Sequence, residues 1–192
     1  MHGLIMKLAI LCLTCLTAPI LSQTTQDPLL VDLSYAKYLG THNATTHLNS
    51  WLGIRYAAPP TGSRRWQAPQ PPEPQRSEDI LDADAFGPSC PQAMPSFPNQ
   101  ARTFVPGNED CLFLNVYAPD DAGGSLLPVF VMIHGGGYGL GDGRTDLSGF
   151  MKENGNGFVA VVVQYRVSLT NDERRTKEER ILKVCVSDKS AF

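Results

Sequence analysis

The 192-residue chain lacks an excess of either charge: 16 Lys and Arg stand against 19 Asp and Glu, for a net charge of −3. Electrostatic capture of nucleic acid or of an anionic membrane surface needs a basic footprint, which this balance does not provide. Nucleotide-binding glycine patterns are missing as well. No frame through residues 135–143 satisfies G-x-G-x-x-G, since counting from Gly137 the sixth position is Asp142, and no Gly-Lys-Ser/Thr closes a phosphate loop. His42 and His47 match no usual zinc spacing and have no cysteine or acidic helix beside them, so they read as solvated loop residues and no metal site is expected. No internal repeat is visible. The apolar run that starts at Leu8 is soon broken by threonines and Pro19, too short and interrupted for a membrane span. What is left is enough chain for one ordinary domain.

That interrupted run follows a lone Lys7, is nearly free of acidic residues and ends in small residues at Ser22. It reads as a secretory signal peptide over residues 1–22, with the mature chain starting near Gln23; a buried N-terminal helix is the alternative. Of the five cysteines, Cys12 and Cys15 lie inside this segment and leave with it. Cys90 and Cys111 are then natural partners in an oxidising compartment, closing a loop of twenty intervening residues worth about 3 kcal/mol in chain entropy, with two buried free thiols as the alternative. Cys185 is stranded. Asn43, followed by Thr45, forms the N-x-S/T pattern of a glycosylated loop.

Short apolar segments separated by turn residues organise the middle of the chain. Residues 49–75 mix aromatic and apolar positions with Pro59, Pro60 and Gly62, and read as strand, turn, strand and loop. "EDCLFLNVYAP", residues 109–119, reads as a strand that stops at Pro119. Residues 129–133 form a continuous apolar run of the kind found in a sheet buried on both faces, and "FVAVVVQYRV" reads as a further buried strand. Between them "GRTDLSGFMKENGNG" has helical spacing with glycine breaks. Strand, glycine turn, short helix and strand predict the beginning of a mixed α/β sheet.

The glycine cluster after the run 129–133 is "HGGGYGLGDG". With nucleotide binding excluded, a bare backbone there suits N–H groups that approach a ligand oxygen, as in the stabilisation of an oxyanion during acyl transfer; a flexible turn is the plain alternative.

"GIRYAAPPTGSRRWQAPQPP", "EDCLFLNVYAP", "HGGGY" and "QYRV" occur in this order, and together they resemble the N-terminal part of the type-B carboxylesterases, which include cholinesterases and many secreted fungal esterases and lipases. The resemblance implies the N-terminal portion of an α/β-hydrolase fold, with a mixed, mostly parallel sheet, over residues 23–167. It implies a bridge between Cys90 and Cys111. It assigns the oxyanion donors to the backbone amides of Gly136 and Gly137, with His134, Gly135 and Tyr138 framing the loop and His134 structural rather than a general base. The implied reaction is hydrolysis of a small-molecule or lipid ester through a serine acyl-enzyme, outside the cell, with no metal or organic cofactor.

Departures from the family pattern qualify this. Residues 91–110 contain no tryptophan, so the choline-binding site of cholinesterases is not expected. No G-x-S-x-G elbow occurs, and no histidine follows His134. The nucleophile, acid and base are thus absent from these 192 residues, and the chain alone is expected to be inactive, with the apolar runs 129–133 and 158–163 left as uncovered sheet edges. A non-catalytic secreted binding or adhesion module of the same family is the alternative reading. After Arg166 the composition changes: eleven charged residues fall in the last 25 positions. Pairs such as Glu173 with Lys177 suit a solvated helix. Val167-Ser168 can also be encoded by GTGAGT, the look of an intron's first bases, so that residues 168–192 are expected to be unrelated to the domain.

Overall fold

The computed structural model describes residues 27–76, 78–93, 104–122, 126–137 and 139–167. The expected signal segment, the charged tail, Cys185 and Tyr138 lie outside these residues. In chain order the strands are β1 (Leu30–Asp32), β2 (Lys37–Leu39), β3 (Thr41–Asn43), β4 (Leu48–Arg55), β5 (Ile80–Asp82), β6 (Gln92–Ala93), β7 (Phe104–Val105), β8 (Phe113–Pro119), β9 (Val129–Ile133) and β10 (Val159–Val163). One helix, α1 (Ser148–Glu153), joins the last two.

The central sheet has the order β3-β4-β8-β10-β9. Its pairs are antiparallel as far as β10, and β9 then joins β10 in parallel. The sheet is mixed, as expected, and its parallel part within the described residues is the β9–β10 pair. Alternation sends the side chains of β10 to opposite faces. Val161 packs with Trp51, Ile54 and Leu114 under the small sheet β1-β2-β5, while Ala160 and Val162 pack with Leu48, Tyr117 and Met151 of α1. Trp51 and Ile54 share a face despite their odd spacing because the ladder shifts between them. Gly53, at φ +70°, takes up this bulge, and its amide donates to Asn115 Oδ1 at 2.8 Å.

Three sequence expectations change here. Within residues 49–75 no second strand follows β4; past the prolines the chain makes a 3-10 turn at Gly62–Arg64 and passes through Trp66 at φ +61°. The run Val129–Ile133 is a strand but is not buried on both faces: Val129 is 58% and Val131 51% exposed, because β9 is the edge of the sheet among the described residues. Of the two expectations for residues 158–163, the buried strand holds and the uncovered edge does not: β10 sits between β8 and β9 and is buried. Phe130, Phe150 and Phe158 gather on one face of the β9 edge, with centroids 5.6 to 5.9 Å apart.

Cys90 and Cys111 are joined by a disulfide and are both buried. Beside it Arg55 grips Asp110 with two hydrogen bonds of 2.6 and 2.8 Å while stacking over the Phe113 ring at 4.5 Å. The Asp110 hydrogen bonds hold the Arg55 guanidinium even more firmly charged than usual. Tyr35 donates to Arg55 O at 2.5 Å, and burial with the nearby Tyr38 pushes its phenol from 10 up to about 12. Tyr117 is pushed up to about 12 by burial and by Asp146.

An acid whose folded pKa is raised releases its proton more readily when unfolded, so these tyrosines contribute fully below pH 10 and lose that contribution as pH rises toward 12. The urea midpoint should fall through this window, and Tyr35→Phe should flatten the fall. Replacing Cys90 and Cys111 together by alanine should cost about 3 kcal/mol, read from the same denaturation curves.

Candidate functional site

The glycine loop leaves the C-terminal end of β9, beside the parallel strand β10, the place where open α/β sheets hold ligands. His134, the first residue past the strand, is 7% exposed, and its ring lies on that of Tyr165 at 4.1 Å and 15°. The Tyr165 hydroxyl in turn donates to His134 O. His134 Nδ1 is 2.9 Å from Gly135 O. A carbonyl only accepts, so Nδ1 carries the hydrogen and donates. Its Nε2 is buried and makes no hydrogen bond among the described residues.

These bonds orient the peptides that follow. In a trans peptide the C=O and the next N–H point opposite ways. Gly135 O is held by His134, so the Gly136 N–H is turned away from that ring. Gly136 O accepts from Gly139 N at 3.2 Å and Leu140 N at 3.0 Å, so the Gly137 N–H is turned away from residues 139–140. Among the described residues neither the Gly136 nor the Gly137 amide donates a hydrogen bond. Both residues are exposed, with positive φ of +126° and +60°. A methyl group on Gly136 would overlap the Leu140 carbonyl oxygen, whereas one on Gly137 would meet open space and suffer only from the backbone angle. Two backbone donors with no internal acceptor are what an oxyanion needs.

The exit of the loop is clamped from the sheet. Asn115, buried on β8, donates from Nδ2 to Gly143 O at 2.8 Å, while Gly143 N donates to Oε1 of buried Gln164. There is no room at Gly143 for more: a methyl would sit 3.0 Å from Gln164 N. The disulfide loop adds a second hold, since Gly141 N donates to Gln92 Oε1 at 3.0 Å and Ala93 N to Gly139 O at 2.9 Å. Sequence reasoning missed Asn115, Gln164 and Gln92. The first two carried a signal, as polar residues in or just past apolar strands; Gln92 carried none.

The other expected positions lie elsewhere. Asn43 ends β3, exposed, with its Oδ1 accepting from Thr45 N and Thr46 N at 2.9 and 3.3 Å. His42 and His47 flank Asp120 Oδ2 at 3.8 and 3.4 Å, and no group of three metal-ligating side chains occurs among the described residues. A groove of about 310 Å³ between the sheets, lined by Tyr35, Tyr38, Arg55 and Phe113 among others, shares none of its residues with the glycine loop.

The carboxylesterase family model matches residues 27–170. The para-nitrobenzyl esterase of Bacillus subtilis (strain 168) is 42% identical over 139 residues, which are 72% of this chain and 27% of that protein. The juvenile hormone esterase of Tribolium castaneum is 38% identical, over 73% of this chain and 24% of its own length. Among solved structures, Aspergillus niger EstA is similar with a TM-score of 0.64 at 28% identity, covering 84% of this chain and 32% of EstA. The chain thus spans about a quarter to a third of the length of the proteins it matches.

Gln164→Leu should leave the Gly143 amide without its acceptor in a buried site, at a cost of about 1–3 kcal/mol in unfolding free energy, read from the urea midpoint.

Proposed function

Because the chain belongs to the carboxylesterase family, we propose that residues 129–143 supply the oxyanion-stabilising part of a carboxylic-ester hydrolase, with Gly136 and Gly137 as donors. The observation that carries this is the pair of outward-turned amides, each set by a carbonyl tied to the protein. In the reaction, a serine activated by histidine attacks the ester carbonyl and the negative charge collects on the carbonyl oxygen. The two amides, with one from the residue after the serine, then hold that oxygen until the alcohol leaves; water releases the acyl group.

Residues 1–192 contain no G-x-S-x-G elbow. The proposal therefore assigns the serine, acid and histidine to polypeptide outside these residues and expects no turnover from the 192-residue chain alone. His134 keeps the framing role, because its Nδ1 hydrogen is committed to Gly135 O. The neighbouring Tyr138 is proposed to frame the same loop. Export from the cell and glycosylation at exposed Asn43 complete the reading; no helix among the described residues is long and apolar enough to cross a membrane. Small ester substrates are favoured by the likeness to a para-nitrobenzyl esterase.

Hydrolysis of a short p-nitrophenyl ester tests this with the 192-residue chain and with the longer product of its genomic reading frame. Activity is expected only in the longer product, and Gly136→Ala there should lower kcat about a hundredfold or more, with a smaller change in KM. Turnover by the 192-residue chain above a heat-inactivated control would overturn the assignment of the nucleophile. An unchanged kcat in the glycine variant would remove Gly136 from the site.

A further inference from the structure

Residues 87–93, which enter the disulfide, run alongside residues 139–144, which leave the glycine loop. Arg144 Nη2 donates to Gly87 O at 3.2 Å, Ser89 Oγ to Asp142 Oδ2 at 3.3 Å, and Ala93 N to Gly139 O at 2.9 Å. The remaining bond is the one in which a side chain of the disulfide segment accepts from a backbone N–H of the loop exit: Gly141 N donates to Gln92 Oε1 at 3.0 Å.

Gly141 occupies a critical place. Its φ is +112°, and a methyl group there would overlap His134 Nδ1 and lie 2.5 Å from Gly135 O. The Gly141 backbone is therefore seated directly against the donor and the acceptor of the hydrogen bond that turns the Gly136 amide outward. Whatever fixes Gly141 fixes that pair. Gln92 is well placed to do so, because it stands two residues after Cys90, which is bridged to buried Cys111 at the entry to β8, and it pairs with Val105 in the β6–β7 ribbon. The side chain that holds Gly141 is thereby referenced to the core by a covalent link.

We propose that Gln92 is a positioning residue for the Gly136 and Gly137 amides, acting through its hydrogen bond to Gly141. It keeps the Gly141 backbone against His134 and the Gly135 carbonyl, and so keeps the peptide that carries the Gly136 N–H in its outward orientation. Only the catalytic meaning of this arrangement rests on reading those amides as oxyanion donors.

The test uses the 192-residue chain with isotope-labelled glycine, so that each loop amide is observed directly by NMR. Gln92→Met keeps the length of the side chain but has no oxygen acceptor. It should accelerate hydrogen exchange at Gly141 about tenfold or more and shift the amide resonances of Gly136 and Gly137, while the Gly53 amide, held by Asn115, stays as it was. Gln92→Glu keeps an acceptor oxygen and should return all three loop signals toward their original behaviour. Unmoved Gly136 and Gly137 resonances in the methionine variant would overturn the proposal. So would a glutamate variant as perturbed as the methionine one, or an equal acceleration at Gly53. Ester hydrolysis is not among these readouts, so a failure of the esterase reading leaves them unaffected.

Discussion

A trans peptide cannot turn its carbonyl inward without turning its N–H outward, and the glycine loop is built on that constraint. Tying down two successive carbonyl oxygens, Gly135 O and Gly136 O, commits the next two amides to the opposite side. Each tie needs its own support. The first comes from an imidazole that is buried, stacked on Tyr165 and bonded through Nδ1; the second comes from the turn formed by Gly139 and Leu140. Side chains would spoil both, Gly136 by collision with Leu140 O and Gly141 by collision with His134. Glycine at these positions is a packing requirement as much as a matter of backbone angle.

The loop is exposed at its tip, so its geometry has to be imposed from below. Asn115 and Gln164 do this from the sheet, gripping the carbonyl and the amide of Gly143 from adjacent strands or their ends. Asn115 also satisfies the Gly53 amide at the β4 bulge, so one side chain links the irregularity of the central sheet to the exit of the loop. Such buried amide side chains add little net stability when satisfied and cost much more when one partner is removed. Their value here is in fixing one arrangement of the loop.

The sequence made the buried strand β10, the pairing of Cys90 with Cys111 and the place of the glycine loop readable, because each follows from local composition or from the family resemblance. It was misleading at β9. An apolar run reports that a strand is made to be covered; whether it is covered depends on what lies beside it, and among the described residues β10 flanks it on one side only. The second strand expected within residues 49–75 failed for a local reason: past the expected turn the chain coils into a 3-10 turn at Gly62–Arg64 and takes a positive φ at Trp66, neither of which a ladder accommodates. Gln92 was invisible because its role depends on a contact to a residue 49 positions away, which no periodicity encodes.

The strand order has a consequence for how the domain assembles. Chain order is β8, β9, β10, yet β10 lies between the other two. Among the described residues β9 therefore has no ladder to join until β10 has been made and has occupied the slot against β8. Residues 134–143 follow β9 directly, so the shape of the glycine loop waits on a strand that ends at Val163. The loop that comes earlier in the chain is thus ordered later in time. During synthesis from the N-terminus, the apolar residues of β9 stand unpaired for the interval needed to add some thirty more residues, on the order of seconds at ribosomal rates.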